Sequence, residues 1–317
     1  MIVVFGSINI DLVARVARIA APGETVLAPS YAAFPGGKGA NQALAARRAG
    51  AQVRLVGAVG RDSFADAALA LLRADSVDLS AVAQVDAPTG TAFIAVDAQG
   101  QNAITVASGA NAHAKASQIG RMRTGDILLL QREVPDAQGE VAARMAKAAN
   151  ARVILNLAPY GRVSQDYLGL VDVLVMNEHE AAELAIDLGM AGATPAALAQ
   201  KLEHDLALST IVTLGAAGAL GQTGGQRMDF AAAKVDVVDS TGAGDAFVGA
   251  LAAALAAGND FLAWPNGDFR DDFSEDFHDA VVFAIAAGSL ACTKAGAQPS
   301  LPWAGAIQKL AINKTAF

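Results

Sequence analysis

Cysteine is nearly absent: Cys292 stands alone in 317 residues. No disulfide can close within the chain, which points to a reducing compartment, expected to be the cytoplasm. Long apolar runs are missing too. The longest, 251–257 and 281–287 with their flanks, fall short of the ~20 residues that cross a bilayer. The opening MIVVFGSINIDLV has no basic stretch ahead of its apolar one, so neither a secretory leader nor a membrane is expected. Basic residues are in deficit, 23 Lys and Arg against 31 Asp and Glu. The resulting net charge of −8 argues against nucleic acid as a partner, because a phosphate backbone needs a basic surface. A small anion can still be held by local groups.

What is present is apolar. The composition is 53% hydrophobic and 17% charged, which supplies a large core and argues against disorder. At ~150 residues per domain the length allows about two units, or one long α/β unit. The pattern favours the second. Short, nearly all-apolar runs at Ile2–Phe5, Val53–Val59, Ile127–Leu130, 153–157, 173–176 and 211–214 read as strands covered on both faces. Helical patterns lie between and after them at 40–49, 64–73, 139–149, 178–188, 196–206, 243–257 and 279–292. This alternation implies a mainly parallel sheet with right-handed crossovers. Two segments break it. Residues 11–34 alternate small and charged side chains, and 91–107 reads as two strands around the turn Asp97-Ala-Gln-Gly100. They are expected to form a small β-structure inserted into a single unit spanning 1–317, placed to act as a lid. The acidic, aromatic segment 259–279 reads as a solvated surface loop, since its spacing is not that of an EF-hand.

The stretch DSTGAGDAF, Asp239–Phe247, combines a strand end, a glycine turn and a helix start. Glycines let the backbone approach a ligand, and a helix N-terminus carries partial positive charge. Gly242, Ala243 and Gly244 can thus form an anion hole, with Asp245 within reach of a reacting hydroxyl. The bland reading is a tight turn whose Asp complements the helix dipole. Two carboxylates, a Thr and two Gly within seven residues favour the functional one.

The stretch PGGKGANQALAARRAG, Pro35–Gly50, is glycine-rich but is no Walker A loop, because no Ser or Thr follows Lys38. Nor is it a clean dinucleotide fingerprint. Its functional reading is polyol contact by the backbone near Gly36–Gly37 and by Lys38 and Asn41, an amide being both donor and acceptor. Asn9 and Asp11, two apart after the first strand, share a face if that strand continues. In MNEHEAAEL, Asn177 and Glu180 form a capping box, which accounts for both; a carboxylate there can also orient hydrated Mg²⁺. His179 and Glu180 resemble half of HExxH, but Glu183 stands at the second histidine position, so a zinc protease is rejected. TLGAAGALG, Thr213–Gly221, reads either as a hairpin or as a backbone approach to nucleotide phosphates.

Taken in order, GSINIDL, PGGKGANQA, GAVGRDSFAD, VDLSAV, PTGTAFI, SGANA, LLLQREVP, LNLAP, MNEHEAAEL, TLGAAGAL, DSTGAGDAF and TKAGAQPSLPW resemble the ribokinase (PfkB) family of carbohydrate kinases over nearly the whole chain. The resemblance implies a three-layer α/β/α core with a mainly parallel sheet and a small β-sheet lid. It implies ATP-dependent transfer of a phosphoryl group to a sugar hydroxyl, expected to be the 5-hydroxyl of D-ribose. Asp245 would be the base and 242–244 the phosphoryl site. Asn9, Asp11, Gly37, Lys38, Asn41 and Glu133 would hold the sugar. Asn177 and Glu180 would orient Mg²⁺ and the phosphates, and Thr213, Gly215, Gly218 and Gly244 would lie along ATP. A K⁺ site would involve Asp239, Thr241, Ala291, Lys294, Gly296 and Ser300. A homodimer through the lids is implied as well. Four departures stand out: Ile285 where relatives often carry Asn or His near adenine, Arg132 in place of an apolar residue before Glu133, Ala65 where Gly is common, and the insert around 264–277. The alternatives are a kinase of another sugar, such as a fructose type, or of a nucleoside. The lid segments show no obvious aromatic platform for a base. A sugar-binding regulator without turnover is the reading from another class; it would need neither base nor anion hole.

Overall fold

The computed structural model describes residues 1–258 and 273–313. Its strands are β1 (Ile2–Phe5), β2 (Asn9–Arg15), β3 (Tyr31–Gly36), β4 (Val53–Val59), β5 (Asp78–Gln84), β6 (Gly90–Val96), β7 (Asn102–Ala107), β8 (Ile127–Leu130), β9 (Arg152–Asn156), β10 (Val173–Asn177), β11 (Ser209–Thr213), β12 (Ala219–Thr223) and β13 (Gln226–Phe230). Its helices are α1 (Lys38–Arg48), α2 (Ser63–Ala74), α3 (Asp136–Ala148), α4 (Gln165–Leu168), α5 (Glu178–Asp187), α6 (Pro195–Leu206), α7 (Ala243–Ala257), α8 (Phe273–Ala291), α9 (Ala297–Ser300) and α10 (Ala304–Ile312). Most of the acidic segment 259–279 lies outside the described residues. Its end does not form the expected loop, because α8 begins at Phe273.

The larger sheet runs β13-β12-β11-β10-β9-β8-β1-β4-β5. From β11 to β5 every pair is parallel; β12 and β13 add an antiparallel edge. β1 shows why its sequence is IVVF: all four residues are buried, with strands on both sides and helices on both faces. Burial of each such side chain contributes about 1.5–3 kcal/mol. One apolar layer joins Ile2, Val4 and Leu55 to α1, α7 and α8; the other joins Val3, Phe5 and Leu128 to α3, α5 and α6. The three-layer arrangement is therefore present as expected. Nearly all of α7 is buried, which explains why it is apolar around its whole circumference. Among the described residues no helix is long and apolar enough to cross a membrane.

The second sheet, β3-β2-β6-β7, is built from the two segments that broke the α/β pattern. Asp97 closes the β6–β7 turn, its carboxylate accepting from the N–H groups of Gln99 and Gln101, both at 2.9 Å. The chain leaves β1, makes β2 and β3, returns as α1 and builds β4 and β5 on one side. It later crosses to β8 and builds outward on the other side. The strand order thus reverses between β1 and β8, and open α/β sheets bind ligands in the crevice at the carboxyl ends of such strands. Asn9, Glu133, Asn156, Asn177 and Thr213 lie at or just beyond the carboxyl ends of β1, β8, β9, β10 and β11. Sheet order therefore lays the expected sugar residues beside the switch point and the expected nucleotide residues farther along the same edge.

Candidate active site

The site is organised by the start of α7. Gly242 is its N-cap at φ +79°, a conformation that costs glycine little. A side chain there would also come within 2.9 Å of the Ala297 Cα. Asp62, Asn177 and Thr194 cap α2, α5 and α6 with their side chains, but α7 has no side-chain cap. The Ala243 N–H turns back to the Ser240 carbonyl at 3.2 Å. Gly244 is open in front: a methyl group added to it would meet nothing within 4 Å. Of the expected hole, Gly244 faces open space on its Cβ side, and Ala243 shares its N–H with the turn. An uncapped helix start favours an anion by up to ~2 kcal/mol.

Asp245, in the first turn of α7, is buried. Its Oδ2 accepts from Asn41 Nδ2 at 2.8 Å, and its Oδ1 accepts from Gln42 Nε2 at 2.9 Å. Both donors stand on α1. They reach Asp245 because Gly249, one turn farther along α7, lets the two helices touch: an added Cβ would lie 2.6 Å from the Gln42 carbonyl and 2.8 Å from the Ala46 nitrogen. Asn41 Oδ1 is buried with no partner among the described residues, an acceptor suited to a ligand hydroxyl.

Glu133 follows β8 and ties the switch point together. Its Oε2 accepts from Ser7 Oγ at 2.5 Å and from the Lys38 N–H at 3.0 Å, so the carboxylate caps α1. Asn9 Oδ1 accepts from Asn111 Nδ2 at 2.7 Å, and Asn111 Oδ1 accepts from the Ile8 N–H at 2.9 Å. Gly37, at φ +88°, brings its backbone against Ser7 and Asn9. Asn9 and Asp11 stand two apart on β2, as expected. A cleft of about 400 Å³ lies beside Glu133, lined also by Val106 and Ser108 at the end of the small sheet and by Arg132 and Pro159.

The expected sugar residues form a cluster of opposed charge. Burial pushes the Asp11 carboxyl up to about 7, helped by the Glu133 and Asp245 carboxylates and opposed by Lys38. Burial alone would lower the Lys38 pKa, but Asp245, Glu133, Glu180 and Asp11 outweigh it and hold the ammonium above its ordinary value. Lys38 therefore feels carboxylates from both the sugar and the nucleotide ends of the site.

The shift at Asp11 has a testable sign. Its folded value lies above its unfolded value of 3.8, so the native state holds more protons between about 4 and 7. The contribution to stability is present below that window and is lost as pH rises through it. Asp11→Asn is expected to raise the Tm of the ligand-free protein at pH 8 by about 2–4 °C and to leave it nearly unchanged at pH 4. If Asp11 holds the sugar as the resemblance implies, the same variant should raise the sugar KM by ~10-fold or more, through loss of a carboxylate hydrogen bond. An equal Tm difference at the two pH values would overturn this account of Asp11.

Farther along the edge, the Asn177–Glu180 capping box is formed as expected. Asn177 Oδ1 accepts from the Glu180 N–H, and Glu180 Oε2 accepts from the Asn177 N–H, both at 2.8 Å. These bonds leave Glu180 Oε1 uncommitted. Burial pushes the Glu180 carboxyl up, against the Asn177 N–H, Lys38 and His179. Thr213 is the register partner of Asn177 on the next strand. Gly215 opens the turn from β11 into β12, so TLGAAGALG is a hairpin. Gly218 is needed there because a Cβ would collide with the Phe230 carbonyl.

Of the six expected K⁺ residues, three are in direct contact: Asp239, Thr241 and Gly296. Asp239 Oδ1 accepts from Thr241 N at 2.9 Å and Thr241 Oγ1 at 2.6 Å, and Oδ2 accepts from Gly296 N at 2.8 Å. Burial opposes ionisation of Asp239, but these bonds prevail and hold its pKa below the ordinary value. Ala291 ends α8, Lys294 lies in the turn after it, Gly296 caps α9 and Ser300 ends α9.

Residue-by-residue reading of the sequence gave no role to Ser7, Gln42, Asn111, Gln131 or Asn156. Each except Ser7 is a buried amide, and each lies inside a stretch that carries the family resemblance, which was the available signal. The departures Arg132, Ile285 and Ala65 lie among the described residues. The Arg132 guanidinium bonds to Asp136 and to the Gly161 and Arg162 carbonyls, and Ile285 is buried in the core on α8.

Comparison with known proteins identifies the family. The sequence profile of the pfkB family carbohydrate kinases matches residues 1–304. The chain belongs to that family, and is thus a phosphotransferase acting on a sugar hydroxyl. It is 35% identical to a ribokinase of Bacillus subtilis over 315 residues, covering 98% of each chain. It is 34% identical to a ribokinase of Haemophilus influenzae over 305 residues, covering 94% of each. Among solved structures, a ribokinase of Thermotoga maritima superposes with a TM-score of 0.85 at 33% identity, covering 98% of this chain and 99% of that one. Arabidopsis thaliana ribokinase, solved with ribose and ATP, gives 0.82 at 30% identity, covering 98% of each.

Proposed function

We propose that this chain is an ATP-dependent D-ribose kinase that phosphorylates the sugar 5-hydroxyl. The observation that carries the reading is the pair of hydrogen bonds from Asn41 and Gln42 to the Asp245 carboxylate. They join the glycine-rich GGKGANQA stretch to the DSTGAGDAF turn at one point, beside an open helix N-terminus.

In this reading Asn9, Asp11, Gly37, Lys38, Asn41 and Glu133 hold the sugar, with Asn41 Oδ1 and Glu133 Oε1 as acceptors for its hydroxyl protons. Asp245 takes the proton of the attacking hydroxyl. A free carboxylate of pKa near ~4 is a weak base for an alcohol, so the proton moves late, as oxygen bonds to phosphorus. Phosphoryl transfer asks the protein chiefly for position and charge, and orienting two reactants can account for ~7–11 kcal/mol. Gly244 and the other backbone groups at 242–244 receive the phosphoryl oxygens, and the Lys38 ammonium adds positive charge. Thr213, Gly215 and Gly218 border the nucleotide.

Glu180 Oε1 and Asn177 suit an oxygen-coordinated, hydrated Mg²⁺. When bound, Mg²⁺ neutralises phosphate charge. The set at Asp239, Thr241, Ala291, Lys294, Gly296 and Ser300 is a carboxylate with hydroxyl and carbonyl oxygens, which suits K⁺. A bound K⁺ supplies positive charge behind the 242–244 turn. The small sheet acts as the lid, and its unpaired edges β3 and β7, with Tyr31, Phe93, Ile104 and Val106 exposed, support pairing of two lids in a homodimer.

The test is ADP release from MgATP with D-ribose, with K⁺ and in buffer free of monovalent metal ions. Ribose-dependent turnover that rises with K⁺ is the expected result. Activity with fructose or a nucleoside alone would keep the mechanism and discard ribose. Sugar binding without turnover on any acceptor would favour the regulator.

A further inference from the structure

Three buried amides connect Asp245 to the middle of the sheet. Asn156, at the end of β9, donates from Nδ2 to the Val175 carbonyl at 3.2 Å. A backbone carbonyl can only accept, so this bond fixes which end of the Asn156 amide is oxygen. Asn156 Oδ1 must then accept, and Gln42 Nε2 supplies the donor at 2.9 Å. That fixes the Gln42 amide in turn. Its Oε1 accepts from Gln131 Nε2 at 2.8 Å, and its Nε2 points its other proton at Asp245 Oδ1 at 2.9 Å. Asn156 is 8% exposed, Gln131 2% and Gln42 0%. The direction of the relay is therefore set at Val175 and arrives at the carboxylate as an N–H.

We propose that Gln42 is a positioning residue for Asp245, the centre of a directional amide relay that fixes the plane of its carboxylate. The proposal rests on the reading of Asp245 as the base. Asn41 grips the other oxygen, but it is also an expected sugar ligand, so among the described residues only Gln42 holds the Asp245 carboxylate independently of the sugar. With Oδ1 fixed by Gln42 and Oδ2 by Asn41, the carboxylate cannot rotate about its Cβ–Cγ bond without breaking a hydrogen bond in a buried site.

The experiment compares Gln42→Met, Gln42→Glu and Asp245→Asn in the full chain, with kcat and KM measured from pH 5 to 9. Gln42→Met is expected to lower kcat by ~10–100-fold with little change in either KM, because a misplaced catalytic group costs rate and not binding. Gln42→Glu keeps shape but places two carboxyl groups at hydrogen-bond distance, which share a proton. Its kcat should decline as pH rises, over a range where the parent profile is flat or rising. A merely structural role for Gln42 would leave the shape of that profile unchanged. If Gln42→Met does not fold, the Gln42→Glu profile decides: one parallel to the parent's overturns the relay. Parental kcat in Gln42→Met beside an inert Asp245→Asn would overturn the relay and leave the base in place. Parental kcat in Asp245→Asn would remove the base, and the relay with it.

Discussion

Asp245→Asn is expected to lower kcat by ~10²–10⁴-fold while sugar affinity changes little. The change removes the proton acceptor and also breaks a hydrogen bond. In the parent both carboxylate oxygens accept, one from Asn41 and one from Gln42. An amide offers one acceptor and one donor, so one of these N–H groups would face another N–H. Gln42 cannot turn its oxygen inward, because Asn156 and the Val175 carbonyl fix its orientation. The substituted side chain is therefore expected to keep its bond to one partner and swing away from the other. Calorimetric titration with the sugar, beside a coupled ADP assay, separates the effects. Near-parental kcat would rule out Asp245 as the base. Loss of sugar binding in proportion to kcat would make it a ligand first.

Gly249→Ala should disturb the site from a distance. Gly249 brings no side chain to the site, yet it sets how closely α7 lies on α1. The added methyl would meet the Gln42 carbonyl at 2.6 Å and the Ala46 nitrogen at 2.8 Å, both backbone atoms that no rotamer change can move. The helices must separate, and overpacking of this kind costs about 1–3 kcal/mol. Asn41 and Gln42 are carried away from Asp245 in the same movement. A shift near 1 Å at a catalytic group costs on the order of 10²-fold in rate. The expected outcome is a lower Tm together with a fall of ~10²-fold in kcat, measured where the variant is still fully folded. A variant that loses stability but keeps its kcat would show that the distance between α1 and α7 does not set the position of the base.

Much of the core could be read without the structure. β1, β4, β8, β9, β10 and β11 are continuous apolar runs because both of their faces are covered, and burial on both sides leaves that mark on the sequence. The strands that escaped are β5, β12 and β13, toward the edges. β5 is only half-buried along its length, and β12 and β13, ALGQT and QRMDF, mix in polar residues and glycine. Their strand character comes from pairing with a neighbour. The same distinction runs through the site. The capping box at Asn177 and Glu180, the Asp97 turn and the glycine start of α7 depend on residues within four positions of one another, so the local sequence determined them. The grip on Asp245 depends on Asn41 and Gln42, 204 and 203 positions away, and on a relay that crosses from α1 to β9 and to the end of β8. Sheet order, the close approach of two helices at Gly249 and one fixed carbonyl at Val175 decide those contacts. Each of these is a property of the packed molecule, because hydrogen-bond direction and helix separation are set only when every neighbouring element is in place.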